Sequence, residues 1–194
     1  RANKLLSEHP VNRKRVLSGQ NPANSIWFWG QGTRPTLQNF EERYGIRGGM
    51  VSAVDLLKGI AKGAGMKSVD VEGATGTLST NFEGKAKAAC DLLDNGCDFV
   101  FVHLEAPDEC GHQGDVKGKI QAIECVDKRV LRPIVEHLRA SGEHFAVLVM
   151  PDHFTPVSIL THSREPVPFL LYSSTRALGD GRPYNESSAA ASGI

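Results

Sequence analysis

The sequence predicts an α/β fold, a mostly parallel sheet with helices on both faces. Three observations point there. Apolar runs of strand length recur along the 194 residues. They alternate with helical stretches of ten or more residues, the pattern of βαβ units. One run, "CDFVFVHLE" (Cys97–Glu105), is apolar without alternation, as a strand buried on both faces should be.

Taken in order, residues 1–24 are polar and basic with no clear period. "SIWFWG" (Ser25–Gly30) is expected to be a short strand closed by glycines. "GMVSAVDLLKGIAKGAGM" (Gly49–Met66) should begin as a strand and turn into a helix, with Val54, Leu57 and Ile60 three apart and Gly65 as its stop. "SVDVEG" (Ser68–Gly73) reads as another short strand. A helix follows in "TNFEGKAKAACDLLDNG", with Thr80 or Asn81 as N-cap and Glu83 in its first turn. Its expected apolar stripe is Phe82, Ala86, Ala89, Cys90 and Leu93, and Gly96 ends it. After the central strand comes the longest helix, from about Asp115 to Leu138, carrying Ile120, Ile123, Val126, Val130, Ile134 and Leu138 at three-to-four spacing. Pro133 should kink or divide it. "HFAVLVM" (His144–Met150) is expected as a second central strand and "FLLYS" (Phe169–Ser173) as a third.

Composition limits the function classes. Twenty-two Lys/Arg balance 22 Asp/Glu, so no global charge points to nucleic acid or to an anionic membrane. No apolar run approaches the roughly 20 residues needed to span a bilayer, and there is no signal-peptide pattern. Cys90, Cys97, Cys110 and Cys125 lack C-x-x-C spacing. Reduced thiols in a cytoplasmic protein are the expectation. Locally, Arg1, Lys4, Arg13, Lys14 and Arg15 face a single acid, Glu8, within residues 1–20. That cluster is either a solvated surface or an anion-binding edge. The oligomeric state is not legible. The absence of an initiator Met, and a C-terminus of small residues without a cap or closing helix, read as the ends of a fragment.

In open parallel sheets, ligands bind beyond the carboxyl ends of the strands. Two of the best strand candidates end in metal-type residues. "FVFVHLE" is followed by "APDECGHQGD", with Asp108 and His112, and "HFAVLVM" by "PDHFTP", with Asp152 and His153. His162 comes on the next loop. Carboxylate plus imidazole suits Mn²⁺ or Zn²⁺. Asp108 and His112 are four apart, so one helical turn would aim both at one ion. Asp152 and His153 are adjacent and would point opposite ways on an extended segment. In a loop they could reach two ions or bridge them. Each piece alone is weak, and the joint arrangement carries the signal. His103, inside an apolar strand, reads as a hydrogen-bonded core histidine, while His9, His137 and His144 read as surface residues. Glu105 and Glu109 are either outer acceptors or solvated.

The runs "PDECGHQGD", "PDHFTP" and "THSREPVPF" together resemble the metal-binding core of the cofactor-independent (2,3-bisphosphoglycerate-independent) phosphoglycerate mutases, in their archaeal-type branch within the alkaline phosphatase superfamily. "NSIWFWGQG", "VDLLKGIAKGAGM" and "GKAKAACDLLDNGCDFVFVHLEAPDE" are similar to that branch as well, so the resemblance runs from about residue 9 to 190. It implies an alkaline-phosphatase-like core, incomplete at its N-terminal side. Residues 1–22 would be the tail of an inserted substrate-binding domain or a linker, and 23–194 the C-terminal part of the metal-binding domain. It implies two divalent ions, typically Mn with Zn or Mg as alternatives. Asp108, His112 and His162 would hold one, and Asp152 and His153 would contribute to the other. The implied reaction moves a phosphoryl group between the 3- and 2-hydroxyls of glycerate through a phosphoserine. The family's nucleophilic serine has no counterpart here, because Ser52, Ser79 and Ser163 lack its context, so this polypeptide alone is expected to be inactive. Arg13, Arg15 and Arg164 are the candidates for binding a phosphorylated substrate, by guanidinium geometry; Thr80 and Lys85 are weaker ones. The alternatives are another metal-dependent phosphoryl-transfer enzyme of the superfamily (a phosphatase, a phosphopentomutase-like or a homoserine-kinase-like enzyme) and a metal-free binding module.

Overall fold

The structure is a computed structural model that describes residues 1–28, 30–33, 35–176, 179 and 181–193. Two compact units make it up, Arg1–Thr36 and Leu37–Ile194.

The first unit departs from expectation. The polar, aperiodic residues near the N-terminus form two short helices, α1 (Ala2–Glu8) and α2 (Pro10–Leu17). Pro10 lies in the first turn of α2, where a missing N–H costs nothing, and the His9 ring accepts from the Val11 N–H. A buried polar side chain helps to tie the unit together. Asn12 donates to the carbonyls of Leu6 and Ala23, each at 2.7 Å, and accepts from the Ala23 N–H at 2.9 Å. Apolar periodicity could not reveal helices fastened by an amide. Among the described residues of Ser25–Gly30 the expected strand is not found. Residues 25–28 pair with no strand, Trp27 and Phe28 are almost fully exposed, and Trp29 lies outside the described residues.

The second unit opens with the short helix α3 (Phe40–Tyr44) and holds a three-stranded parallel sheet in the order β2–β1–β3. The strands are β1 (Gly48–Val51), β2 (Lys67–Val69) and β3 (Phe99–Val102). Helix α4 (Asp55–Gly63) follows β1 as expected, and Gly65 stands just past its end at φ 72°. Asn81 caps α5 (Phe82–Asp94) by accepting from the Gly84 N–H at 2.8 Å. The buried stripe of α5 is Phe82, Lys85, Ala86, Ala89 and Leu92, so Leu92 takes the place expected of Leu93, and Cys90 is half-buried. The helix lies so close to β1 that a Cβ on Gly49 would sit 3.1 Å from Leu92.

The fully buried central strand is β1, not the more apolar β3. Among the described residues β3 is an edge strand, and its alternate side chains Phe99 and Phe101 are exposed. Hydrophobic content measures what a strand can bury, whereas position in the sheet decides what it does bury.

Helix α6 (Ala106–His112) follows β3. The long helix expected from Asp115 is divided into α7 (Val116–Cys125), a π-helical turn (Val126–Leu131) and α8 (Arg132–Ser141). The division falls just ahead of Pro133, which stands in the first turn of α8 where its missing donor is harmless. The π turn brings Arg129 over the Phe82 ring and onto Glu83 through a two-pronged contact of 2.5 and 2.7 Å. Val130 and Ala122 pack against Phe82, Ala86 and Ala106.

The last two strands, β4 (Ala146–Val149) and β5 (Leu170–Ser173), do not join the parallel sheet as expected. They pair with each other, antiparallel, in a sheet of their own. A short helix, α9 (Glu186–Ala190), capped by Asn185, follows where no closing helix was expected. No described helix is long and apolar enough to cross a membrane, and all four cysteines are free.

Candidate metal centre

Asp108 and His112 both lie on α6, one turn apart, as their spacing implied. The Asp108 Oδ2 to His112 Nε2 distance is 3.3 Å. His162 arrives from a loop fifty residues later. Its Nε2 is 3.1 Å from His112 Nε2 and 3.4 Å from Asp108 Oδ1. Among the described residues these three are the one group of His, Cys, Asp and Glu whose donor atoms all lie within 4.8 Å of one another. Ligands bonded to a small divalent ion at about 2.0–2.2 Å sit roughly 3–3.5 Å apart, so the donor set fits such an ion.

The ring of His112 is oriented from behind. Its Nδ1 is 3.0 Å from the Leu160 carbonyl. A carbonyl only accepts, so Nδ1 carries the proton and the Nε2 lone pair faces Asp108 and His162. Leu160 adopts φ 57°, the only left-handed non-glycine residue described. That conformation costs a non-glycine residue about 1–2 kcal/mol, and here it turns a carbonyl toward His112.

A single β-bridge between Phe154 and Ser163 joins the two loops that carry His153 and His162. It brings the two rings to 3.6 Å between centroids, tilted by 30°. Asp152 reaches His153 Nε2 at 3.4 Å, but its side chain is 75% exposed and it stands outside the triad. The structure therefore brings Asp108, His112 and His162 together, sets His153 against them, and leaves Asp152 at the rim.

Thr155 was not singled out from the sequence, and it is buried at the middle of the cluster. Its hydroxyl donates to Asp108 Oδ1 and lies 3.3 Å from His153 Nδ1. Lys119 of α7 donates to its carbonyl at 2.7 Å. The available signal was period two: in an extended "DHFT", positions 153 and 155 share a side.

The remaining candidates fall elsewhere. Arg13 and Arg15 are exposed on α2, where Arg15 donates to the Asn21 carbonyl at 2.8 Å. Arg164 is exposed two residues past His162. Thr80 and Lys85 are buried and brace the loop before α5, Thr80 accepting from the Thr75 N–H and Lys85 donating to the Thr75 carbonyl. Burial pushes the Lys85 ammonium below its ordinary range. His103 is half-buried, with Nδ1 3.3 Å from Ser52 Oγ, and burial lowers its pKa. His137, read as a surface residue, pairs with Asp94 at 2.8 Å.

The profile described as the Metalloenzyme superfamily matches residues 7–191. The 2,3-bisphosphoglycerate-independent phosphoglycerate mutase of Methanosarcina acetivorans is 54% identical over 180 residues, 93% of this chain and 45% of that protein. The protein of the same name from Methanothrix thermoacetophila is 50% identical over 193 residues and 49% of its length. Among solved structures, a Pyrococcus horikoshii protein superimposes with TM-score 0.80 at 34% identity, covering 96% of this chain and 48% of that one. The cofactor-independent phosphoglycerate mutase of Thermoplasma acidophilum does so with TM-score 0.57 at 26% identity, covering 97% and 44%. The chain spans about half the length of the curated relatives it matches.

Proposed function

The chain belongs to the Metalloenzyme superfamily, and from that premise we propose that it is the metal-binding half of a cofactor-independent phosphoglycerate mutase. The observation that carries this is the convergence of Asp108, His112 and His162 from α6 and a distant loop, in a chain half identical to relatives that bear that name.

In this reading Asp108, His112 and His162 hold one divalent ion, and Asp152 and His153 contribute to a second. Two imidazoles in the first set favour Mn²⁺ or Zn²⁺ over Mg²⁺, and Mn²⁺ is our assignment. When bound, such a pair supplies positive charge against the oxygens of a phosphoryl group in transfer. The chain's own residues prepare that site. The Leu160 carbonyl keeps the proton of His112 on Nδ1 and so leaves Nε2 free. The bridge between Phe154 and Ser163 keeps the His153 and His162 rings in contact. Arg164, and Arg13 and Arg15 on α2, are proposed to bind the phosphate and carboxylate of 3-phosphoglycerate through two-pronged hydrogen bonds. The serine that takes up the phosphoryl group is proposed to come from the half of the relatives' length that this chain does not span. Four free thiols suit the cytoplasm.

The test is an enolase-coupled assay of the full-length protein with 3-phosphoglycerate and Mn²⁺, run beside the 194-residue chain alone. Turnover by the former and none by the latter is expected. No turnover by the full-length protein under these conditions overturns the mutase assignment.

A further inference from the structure

Thr155 touches one residue from each of the two ligand sets. Its hydroxyl lies within hydrogen-bonding reach of Asp108, from α6, and of His153, from the loop beyond β4. We propose that Thr155 is the positioning residue that locks these two sets together.

The direction of the bonds follows from what each atom can do. A carboxylate accepts, so the hydroxyl proton goes to Asp108 Oδ1. The oxygen lone pairs then face His153 Nδ1 at 3.3 Å, and the Phe154 carbonyl lies at 3.3 Å from the same nitrogen. Both oxygens can accept, so they keep a proton on Nδ1 and fix the orientation of the His153 ring. Neither Asp108 nor His153 can turn without losing a partner at Thr155.

Thr155 is itself clamped. It is 4% exposed. Its carbonyl accepts from Lys119 Nζ at 2.7 Å and lies so close to Gly111 of α6 that a Cβ there would collide with it. The bridge from Phe154 to Ser163 holds the preceding residue. A hydroxyl fixed from behind in this way transmits the position of α6 to the loop. The consequence for metal binding rests on the metal-centre reading above, whereas the contact between Asp108 and Thr155 does not.

Two measurements on Thr155→Val and Thr155→Ser separate these. The first uses thermal unfolding of the metal-free protein, with Thr155→Val, Asp108→Ala and the double variant. The double variant is expected to lower Tm by clearly less than the two single shifts added together, and Thr155→Ser to stay near the parent. Additive shifts overturn the proposal. The second is a Co²⁺ titration followed by visible absorption. Thr155→Val is expected to weaken binding about 10–100-fold and to shift the absorption bands, with Thr155→Ser restoring both. Parental affinity and bands in Thr155→Val overturn the positioning role at the ion. If the parent protein binds no Co²⁺ while the Tm shifts remain non-additive, the contact stands and the metal-centre reading falls.

Discussion

Asp108 and His112 sit one turn apart on α6, where the helical backbone alone sets their separation. Asp152 and His153 are neighbours beyond β4, where the backbone alone would send them apart. The first pair is ready as soon as α6 forms. Each member of the second has a different fate: His153 is drawn in by Thr155 and by ring contact with His162, while Asp152 stays in solvent. Local geometry thus builds one pair of donors, and long-range contacts place His162 and His153, so the two should fail differently.

The largest effect is expected where one imidazole of each origin is removed, His112 from the helix and His162 from the distant loop. The double variant His112→Ala, His162→Ala takes away both imidazoles of the triad and the hydrogen bond between them. Loss of residues one layer outside a metal typically costs about 10–100-fold in affinity, so loss of two ligands should exceed about 100-fold. Metal analysis of the purified variant beside the parent protein checks this. Equal metal content in both would favour the binding-module alternative.

Next in size is a change that leaves every donor in place and separates the two sets. Gly111→Ala adds one methyl between α6 and the Thr155 backbone, where there is no room for it. Overpacking of this kind costs about 1–3 kcal/mol. Alanine's better helix propensity returns up to about 1 kcal/mol. A net loss in Tm is expected, together with weaker Co²⁺ binding, because the loop that carries His153 must move off α6. An unchanged Tm with unchanged binding would mean that the contact between α6 and the loop does not position the site.

The same contrast explains how much was legible in the sequence. Asp108 and His112 could be assigned to one site because helical periodicity converts a spacing of four into proximity. His162 was recognised from its motif, yet the Phe154–Ser163 bridge that places it leaves no periodic trace. Thr155 and the Leu160 carbonyl were missed because they act through a hydroxyl and a backbone atom, and neither residue type advertises chemistry. In the fold, α5 and its Asn81 cap were legible from the apolar stripe and the turn residues. Strand order was not. The apolar run of β3 suggested the centre of the sheet, but β1 occupies it, and its Gly49 lets Leu92 of α5 pack closely onto the strand. The helices α1 and α2 were missed because their link is one asparagine rather than an apolar face.

The smallest effect is expected at Asp152, and it sharpens the comparison most. The carboxylate is 75% exposed, and its contact with His153 Nε2 is 3.4 Å. An exposed ion pair contributes at most about 1 kcal/mol, a factor of roughly five in an equilibrium constant. Asp152→Ala should therefore leave the affinity of the triad for its first Co²⁺ within about fivefold. If Asp152 and His153 serve a second ion, the same variant should remove the weaker step of a two-step isotherm and leave the tighter one. Retention of both steps would take Asp152 out of the ligand set. Loss of both would mean that the exposed aspartate governs the triad, and that the two sets are not built independently.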